Sequence, residues 1–122
     1  LRAECEVIIL SDTFREFVSP LLNKLSQPTI FCHTLKIDPS GRITGYLLRQ
    51  QDQKRLAVNA LKDLNFQILA TGDSYNDISM MQSAHHGIFF RPTQKITEEF
   101  PTFPVTQQYA ELKLELQKHL ND

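Results

Sequence analysis

Short apolar runs alternate along this chain with segments of helical periodicity, and this alternation restricts the fold more than any other feature of the sequence. The runs 6–10 (EVIIL), 67–71 (QILAT) and 86–90 (HGIFF) have the length of strands. The first two are apolar on both faces, which is typical of strands in parallel sheets that are covered on both sides. We therefore predict strands at these three places.

Between the predicted strands, apolar side chains recur three and four residues apart, which predicts amphipathic helices. The first stripe consists of Phe14, Phe17, Val18, Leu21, Leu22 and Leu25, and it ends before Pro28. The second helix begins at Asp52 and carries Leu56, Ala57, Ala60, Leu61 and Leu64. A short helix is predicted around 76–83, and a last one carries Tyr109, Leu112, Leu116 and Leu120.

Two further segments complete the organisation. The stretches TIFCHTLKI and RITGYLL are rich in branched and aromatic residues and flank the turn signal DPSG, which predicts a β-hairpin over about 29–48. Pro92, Pro101 and Pro104 predict an irregular segment. The alternation as a whole favours a three-layer, Rossmann-like α/β fold with a mostly parallel sheet, in one domain over residues 1–122.

Composition excludes several classes of function. The net charge of −1 supplies no basic surface for nucleic acid or an anionic membrane, and no apolar run has the roughly 18–20 residues of a membrane span. Cys5 and Cys32 form no paired framework, so we expect reduced thiols and a cytoplasmic protein. The chain opens at Leu1 and enters a strand almost at once, from which we expect a fragment or a processed product.

The stretch ILATGDSYNDISMM places oxygen-bearing side chains directly after a predicted strand. Asp73, Asn76 and Asp77 are hard ligands of the kind that Mg²⁺ prefers, and ligands of α/β sheets bind at the carboxyl ends of strands. A Ca²⁺-binding EF-hand loop does not fit, because Tyr75 occupies its third position. The alternative is structural: Asp73 or Ser74 caps the following helix.

Two more residues extend the motif to phosphate chemistry. Ser11 is predicted at the end of the first strand, where a hydroxyl can hold a phosphate oxygen, and Lys54 is predicted in the first turn of its helix. Taken singly, each has an ordinary structural interpretation as a strand-end serine or a solvated lysine. Together with Asp73 and Asp77 they supply a hydroxyl, an ammonium and two carboxylates, the groups that phosphoryl transfer requires.

These motifs resemble the haloacid-dehalogenase superfamily of phosphatases. SDTF, Lys54 in RQQDQKR, and GDSYND are similar to its second, third and fourth motifs. Within the superfamily the sequence is most similar to the phosphoserine phosphatase branch. The stretches VIILSDTF, GYLLRQQDQKR, GDSYND, AHHGIFF and FPTFP look like the subgroup described as bifunctional phosphoserine phosphatase and homoserine phosphotransferase.

The resemblance implies a role for each matching residue. Ser11 would bind the phosphoryl group, and Lys54 would neutralise the phosphate and the attacking carboxylate. Asp73 would ligate Mg²⁺, and Asp77 would support that site through water or by holding Lys54. Asn76 would contact the phosphate or a bound water. The implied partner is a small phosphorylated amino acid, and the implied cofactor is Mg²⁺.

The family's first motif, a DxDxT-like strand end that carries the nucleophilic aspartate, has no match here, and Asp12 does not replace it. We therefore expect the C-terminal portion of such an enzyme, lacking most of its helical cap and inactive alone. An N-terminal segment outside this chain, or a second copy, would complete the sheet between strands 7–10 and 67–71. Two alternatives remain. The first is a non-catalytic module that binds either Mg²⁺ and phosphate or a protein partner, and the second, which fewer residues favour, is a receiver-like signalling domain.

His33 lies in the predicted hairpin and is interpreted as a packed or exposed residue.

Overall fold

The computed structural model describes residues 4–49 and 51–120. The predicted domain 1–122 and the stretch GYLLRQQDQKR, which contains Gln50, therefore extend beyond the described residues. In chain order, the strands and helices are β1 (Ile8–Phe14), α1 (Arg15–Lys24), β2 (Thr29–Ile37), β3 (Ile43–Leu47), α2 (Gln53–Asp63), β4 (Leu69–Gly72), a 3₁₀ turn (Tyr75–Asp77), α3 (Ile78–Ser83), β5 (His86–Phe90), α4 (Gln94–Glu99), β6 (Val105–Thr106) and α5 (Tyr109–His119).

The chain divides into two compact units, Leu1–Gln53 and Lys54–Asp122. Each unit contains one three-stranded sheet, with the orders β1-β2-β3 and β4-β5-β6. Three of the four strand pairings are parallel, and the pairing of β2 with β3 is antiparallel. The predicted α/β class with mostly parallel pairing is therefore confirmed, with the strands distributed over two sheets. That they form one domain stays a prediction.

In the first unit, the parallel ladder between β1 and β2 is interrupted. It runs in register from Ile8 to Leu10 and resumes where Phe14 pairs with His33. The strand was predicted to end at Ser11, and this is wrong because β1 continues to Phe14. Within the interruption, the Thr13 N–H donates to the Ser11 Oγ at 3.2 Å, a local bond that competes with ladder hydrogen bonding.

The predicted hairpin is confirmed as β2 and β3. Its turn follows from Asp38, whose Oδ1 accepts hydrogen bonds from the backbone N–H groups of Ser40 and Arg42, each at 2.9 Å. Gly41 has a φ of +89°, a conformation that side-chain-bearing residues rarely adopt. The signal DPSG thus predicted both the place and the chemistry of this turn.

In the second unit, β5 lies between β4 and β6 and forms the centre of the core. Ile88 and Phe89 of β5 are completely buried, and Met81 of α3 is 1% exposed. The segment that was predicted to be irregular contains α4 and β6, so that prediction is wrong. Thr93 caps α4 by accepting the Ile96 N–H at 3.3 Å, and this cap allows a helix between the prolines.

The predicted helices are confirmed, but their apolar stripes are unevenly buried. On α1, Leu22 is 4% exposed whereas Phe17 is 62% exposed, and on the second stripe Leu64 is 67% exposed. The Cys32 thiol is buried, Cys5 is half-buried, and no disulfide is present in the described part of the chain. None of the helices over 4–49 and 51–120 has the length and hydrophobicity required to cross a bilayer.

Candidate functional site

The GDSYND segment begins with Gly72, the last residue of β4, one residue beyond the predicted strand end at Thr71. Strand β4 ends at Gly72, and the chain turns through Asp73 and Ser74 into the 3₁₀ turn. The 3₁₀ turn passes directly into α3, so that Asp77 is its last residue and the N-cap of α3. Asp73 therefore lies at the carboxyl end of a strand in a parallel pair, where ligands bind in folds of this class.

Asp77 and Lys54 form a buried ion pair. The Lys54 Nζ donates to the Asp77 Oδ1 at 2.7 Å, and the two side chains are only 11% and 10% exposed. Lys54 lies in the first turn of α2, as predicted, where the helix dipole disfavours a cation. The carboxylate compensates that cost, so the ammonium is held in a fixed position.

The other carboxylate oxygen of Asp77 organises the turn itself. Oδ2 accepts the backbone N–H of Asp73 at 3.0 Å and that of Ser74 at 3.3 Å. Burial opposes ionisation of Asp77, but the hydrogen bond from Lys54 and the two backbone N–H groups outweigh it and hold the pKa of this carboxyl below its ordinary 3.8. Asp77 therefore stays ionised and joins Lys54 to the loop that carries Asp73.

The structural alternative, in which this segment only caps a helix, is partly realised. Ser74 is the N-cap of the 3₁₀ turn, and Asp77 reaches back to the Ser74 N–H as the acidic residue of a capping box. The same Asp77 carboxylate also binds Lys54. Capping and charge pairing thus coexist in one side chain.

The remaining predicted ligands lie on the surface of the loop. Asp73 and Asn76 are both exposed, and the Asn76 Oδ1 accepts a hydrogen bond from the Ser74 Oγ. Both oxygens of Asp77 are already engaged, which leaves Asp73 as the exposed carboxylate of the motif. Among residues 4–49 and 51–120 there is no group of three or more His, Cys, Asp or Glu side chains that could hold a metal ion. Mg²⁺ is usually bound by one or two carboxylates together with water and phosphate, and in this loop Asp73 is the carboxylate that is exposed for such a role.

Ser11 has a different environment in the first unit. Its carbonyl oxygen accepts a hydrogen bond from the Nε2 of Gln53, a residue that is 1% exposed. Because a backbone carbonyl can only accept, this bond fixes the orientation of the Gln53 amide. The Gln53 Oε1 is buried without a hydrogen-bond partner in the described part of the chain.

His33 lies near Asp12, the residue after Ser11, and neither His33 nor Asp12 was predicted as a site residue. The buried His33 ring accepts the Arg49 N–H on Nδ1 at 3.0 Å, and its Nε2 lies 3.6 Å from the Asp12 Oδ1. Asp12 is adjacent to Ser11 in sequence and its side chain is 51% exposed. The residue types alone gave no signal, because the strand pairing of β1 with β2 brings these groups together.

The structure thus brings Lys54, Asp73, Asn76 and Asp77 together in the second unit. Ser11 belongs to the first unit. The catalytic, phosphate-binding and metal-binding roles of these five residues stay predictions.

Curated relatives match nearly the whole chain. The phosphoserine phosphatase ThrH of Pseudomonas aeruginosa is 49% identical over 118 residues, which are 97% of this chain and 58% of that protein. A phosphoserine phosphatase of Pseudomonas syringae pv. tomato is 46% identical over 121 residues, 99% of this chain and 51% of that protein. The chain therefore spans about half the length of the curated relatives it matches. No family model matches the sequence.

The fold agrees with that of a phosphoserine phosphatase of known structure. The crystal structure of a phosphoserine phosphatase from T. onnurineus, in complex with NDSB-201, superposes with a TM-score of 0.69 at 26% identity, covering 92% of this chain and 51% of that one. Sequence identity and fold therefore confirm the resemblance that the motifs predicted, and they place this chain in the phosphoserine phosphatase branch of the haloacid-dehalogenase superfamily.

Proposed function

We propose that this chain is the phosphate-binding part of a cytoplasmic, Mg²⁺-dependent phosphatase that hydrolyses phosphoserine and can transfer the phosphoryl group to homoserine. The buried ion pair between Lys54 and Asp77 carries the proposal. Burying an ion pair this deeply costs free energy, because both charges lose their water. A functional site that needs a fixed positive charge would explain why the pair is present despite that cost. The identity of 46–49% with phosphoserine phosphatases supports the choice of substrate.

Each residue has one task in this proposal. Lys54 neutralises the charge of the phosphoryl group and of the attacking carboxylate, and Asp77 holds Lys54 in place. Ser11 and Asn76 donate hydrogen bonds to phosphoryl oxygens. Asp73 would hold Mg²⁺, which when bound would neutralise further charge on the phosphate. The remaining ligands would come from water, from the phosphate and from the segment that carries the attacking carboxylate.

The attacking carboxylate is assigned to a segment that these residues do not include. The sequence contains no DxDxT-like pattern, and the Asp12 carboxylate belongs to the motif around Ser11. In the proposed reaction that external carboxylate attacks phosphorus while the bond from phosphorus to the serine oxygen breaks, and serine leaves after its oxygen takes up a proton. Water or homoserine then takes the phosphoryl group, gives up a proton and releases the carboxylate. We assign this segment to a longer form of the same protein, because a second copy of this sequence would lack the same pattern.

The test uses the full-length protein and a pair of lysines on one helix. Lys54→Met should lower the kcat for phosphoserine hydrolysis by about 10²–10³-fold, because it removes a preorganised charge from the phosphate. Lys62→Met is the control. Lys62 also lies on α2 and its Nζ also donates at 2.7 Å, but to the backbone oxygen of Ser83.

Stability must be measured with the same variants, because Lys54→Met leaves the Asp77 carboxylate buried without its cation. Thermal unfolding curves identify a temperature at which all variants are folded, and the rates of phosphoserine hydrolysis are compared at that temperature. Equal loss in Lys54→Met and Lys62→Met would contradict the assigned role of Lys54. Absence of phosphoserine turnover in the folded wild-type protein would contradict the proposed function and favour a non-catalytic module.

A further inference from the structure

His33 is a buried polar residue at the point where the ladder between β1 and β2 resumes. It pairs with Phe14, immediately after the interruption at residues 11–13, and it is 6% exposed. Burying an imidazole removes water from two polar nitrogens, which is unfavourable unless both find partners. The partners of the two ring nitrogens therefore indicate the role of His33.

The two ring nitrogens face two different segments. Nδ1 accepts the backbone N–H of Arg49, which follows β3, and this bond requires a lone pair on Nδ1. The ring proton of a neutral imidazole must then sit on Nε2, which faces the Asp12 Oδ1 at 3.6 Å. That separation is too long for a direct hydrogen bond but short enough for electrostatic attraction in a partly buried site.

Gln53 approaches the same segment. Its Nε2 donates to the carbonyl oxygen of Ser11 and lies 3.5 Å from the Asp12 Oδ1. Two nitrogen donors, from His33 and Gln53, thus face one carboxylate oxygen of the residue that follows Ser11. The regular ladder is interrupted between Leu10 and Phe14, and the hydrogen bond from Gln53 to the Ser11 carbonyl holds this segment from outside the ladder.

We propose that His33 is a positioning residue for Ser11: it orients Asp12 and thereby fixes the irregular segment from which the Ser11 hydroxyl binds phosphate. The inference rests on the proposed function, which assigns phosphate binding to Ser11. The Ser11 Oγ accepts the Thr13 N–H, and this contact does not use the hydroxyl proton. A fixed segment would leave that proton directed at a phosphoryl oxygen, whereas a mobile one would not.

Two substitutions separate the two functions of the ring. His33→Asn places an amide oxygen where Nδ1 was, so it can keep the bond to the Arg49 N–H while it loses the donor toward Asp12. His33→Gln places its amide near the former Nε2, so it keeps a donor toward Asp12 and loses the acceptor for Arg49. Because misplacing a reacting group by about 1 Å can cost about 10²-fold, His33→Asn should lower kcat/KM for phosphoserine by at least about 10-fold.

His33→Gln should retain activity within about threefold of wild type when both are folded, since the positioning contact is kept. The matched controls are His85→Asn and His85→Gln. His85 likewise accepts a backbone N–H on Nδ1 at 3.0 Å, from Ile68, but it lies in the other unit and is exposed. These controls should leave kcat/KM unchanged.

A second readout is independent of activity. In the full-length protein, the amide resonances of residues 11–13 should shift in His33→Asn and stay near their wild-type positions in His33→Gln and both controls. The imidazole ¹⁵N resonances of wild type should show a protonated Nε2 and an unprotonated Nδ1. Unchanged amide resonances together with unchanged kcat/KM in His33→Asn would overturn the inference. If wild type does not turn over phosphoserine, the proposed function fails, and the resonances of 11–13 still decide whether His33 fixes the segment.

Discussion

Gly72 lies so close to Asp77 that no side chain fits between them. A Cβ atom built on Gly72 would be 2.4 Å from the Asp77 Cβ and 2.6 Å from its Oδ2. The glycine of the GDSYND motif is therefore required by close approach, since real Cβ atoms essentially never come within 3.0 Å of a neighbour. Through this contact the end of β4 determines where the partner of Lys54 can sit.

Gly72→Ala should displace the Asp77 carboxylate and weaken its bond to Lys54. Inserting a methyl group into a tightly packed position costs about 1–3 kcal/mol, and we expect a loss of that size in the free energy of unfolding measured with urea. Gly45→Ala on β3 is the control, because its Cβ would meet only the Lys36 Cδ, at an ordinary 3.6 Å. Two variants of equal stability would show that the loop can move away from residue 72 without cost.

The pH dependence of stability should carry a contribution from Asp77. Its pKa is below 3.8 in the folded protein, because the contacts with Lys54 and two N–H groups outweigh the effect of burial. A group with a lowered folded pKa stabilises the protein fully above its unfolded pKa, and that stabilisation disappears as the pH falls through the folded pKa. The difference in unfolding free energy between wild type and Asp77→Asn should therefore be constant around neutral pH and shrink below about pH 4. A difference that grows on acidification would contradict the ionised pair.

The exposed side of the GDSYND loop is attached to α4 by a second contact. The Tyr75 hydroxyl donates to the Glu99 Oε1 at 2.8 Å, and this bond raises the pKa of Tyr75 above its ordinary 10.0. Glu99→Ala should bring the Tyr75 pKa back toward 10.0, as measured by NMR titration of its ring. Glu98→Ala is the control, because Glu98 instead accepts a hydrogen bond from Gln94 on the same helix. An unchanged Tyr75 pKa in Glu99→Ala would show that the contact does not persist in solution.

Local sequence patterns predicted most of this fold. The hairpin, the strand predicted over 67–71 and found at Leu69–Gly72, and the position of Lys54 in the first turn of α2 follow from periodicity and turn chemistry. The pairing of Lys54 with Asp77 was one of two roles that the resemblance implied for Asp77, and the structure contains that contact.

Features that depend on distant partners were not predictable in the same way. Strand β6 has two residues and exists because it pairs with β5, where the buried Thr106 Oγ1 donates to the Phe89 oxygen at 2.8 Å. Helix α4 has one buried residue, Ile96, so its sequence has no apolar stripe that would predict a helix between the surrounding prolines. The bulge after Leu10 and the contacts of His33 arise from the pairing of two strands, which no local pattern encodes.

The last prediction concerns Mg²⁺. In the GDSYND loop the Asp77 oxygens bind Lys54 and two backbone N–H groups, and Asp73 contributes an exposed carboxylate. A single carboxylate binds Mg²⁺ weakly, because this ion gives up its water reluctantly and needs near-octahedral geometry. We therefore expect the 122-residue chain alone to hold Mg²⁺ loosely and to show no Mg²⁺-dependent hydrolysis of phosphoserine above background.

In the full-length protein, Asp73→Asn should raise the Mg²⁺ concentration required for half-maximal activity by about 10-fold or more, since one charged ligand is replaced by a neutral amide. Asp63→Asn, at the exposed end of α2, serves as the control and should leave the Mg²⁺ requirement unchanged. For the 122-residue chain alone, calorimetric titration with Mg²⁺ measures directly whether the ion is held loosely. Tight binding there, with an octahedral ion held only by residues of this chain and water at about 2.1 Å, would show that no ligand from another segment is needed.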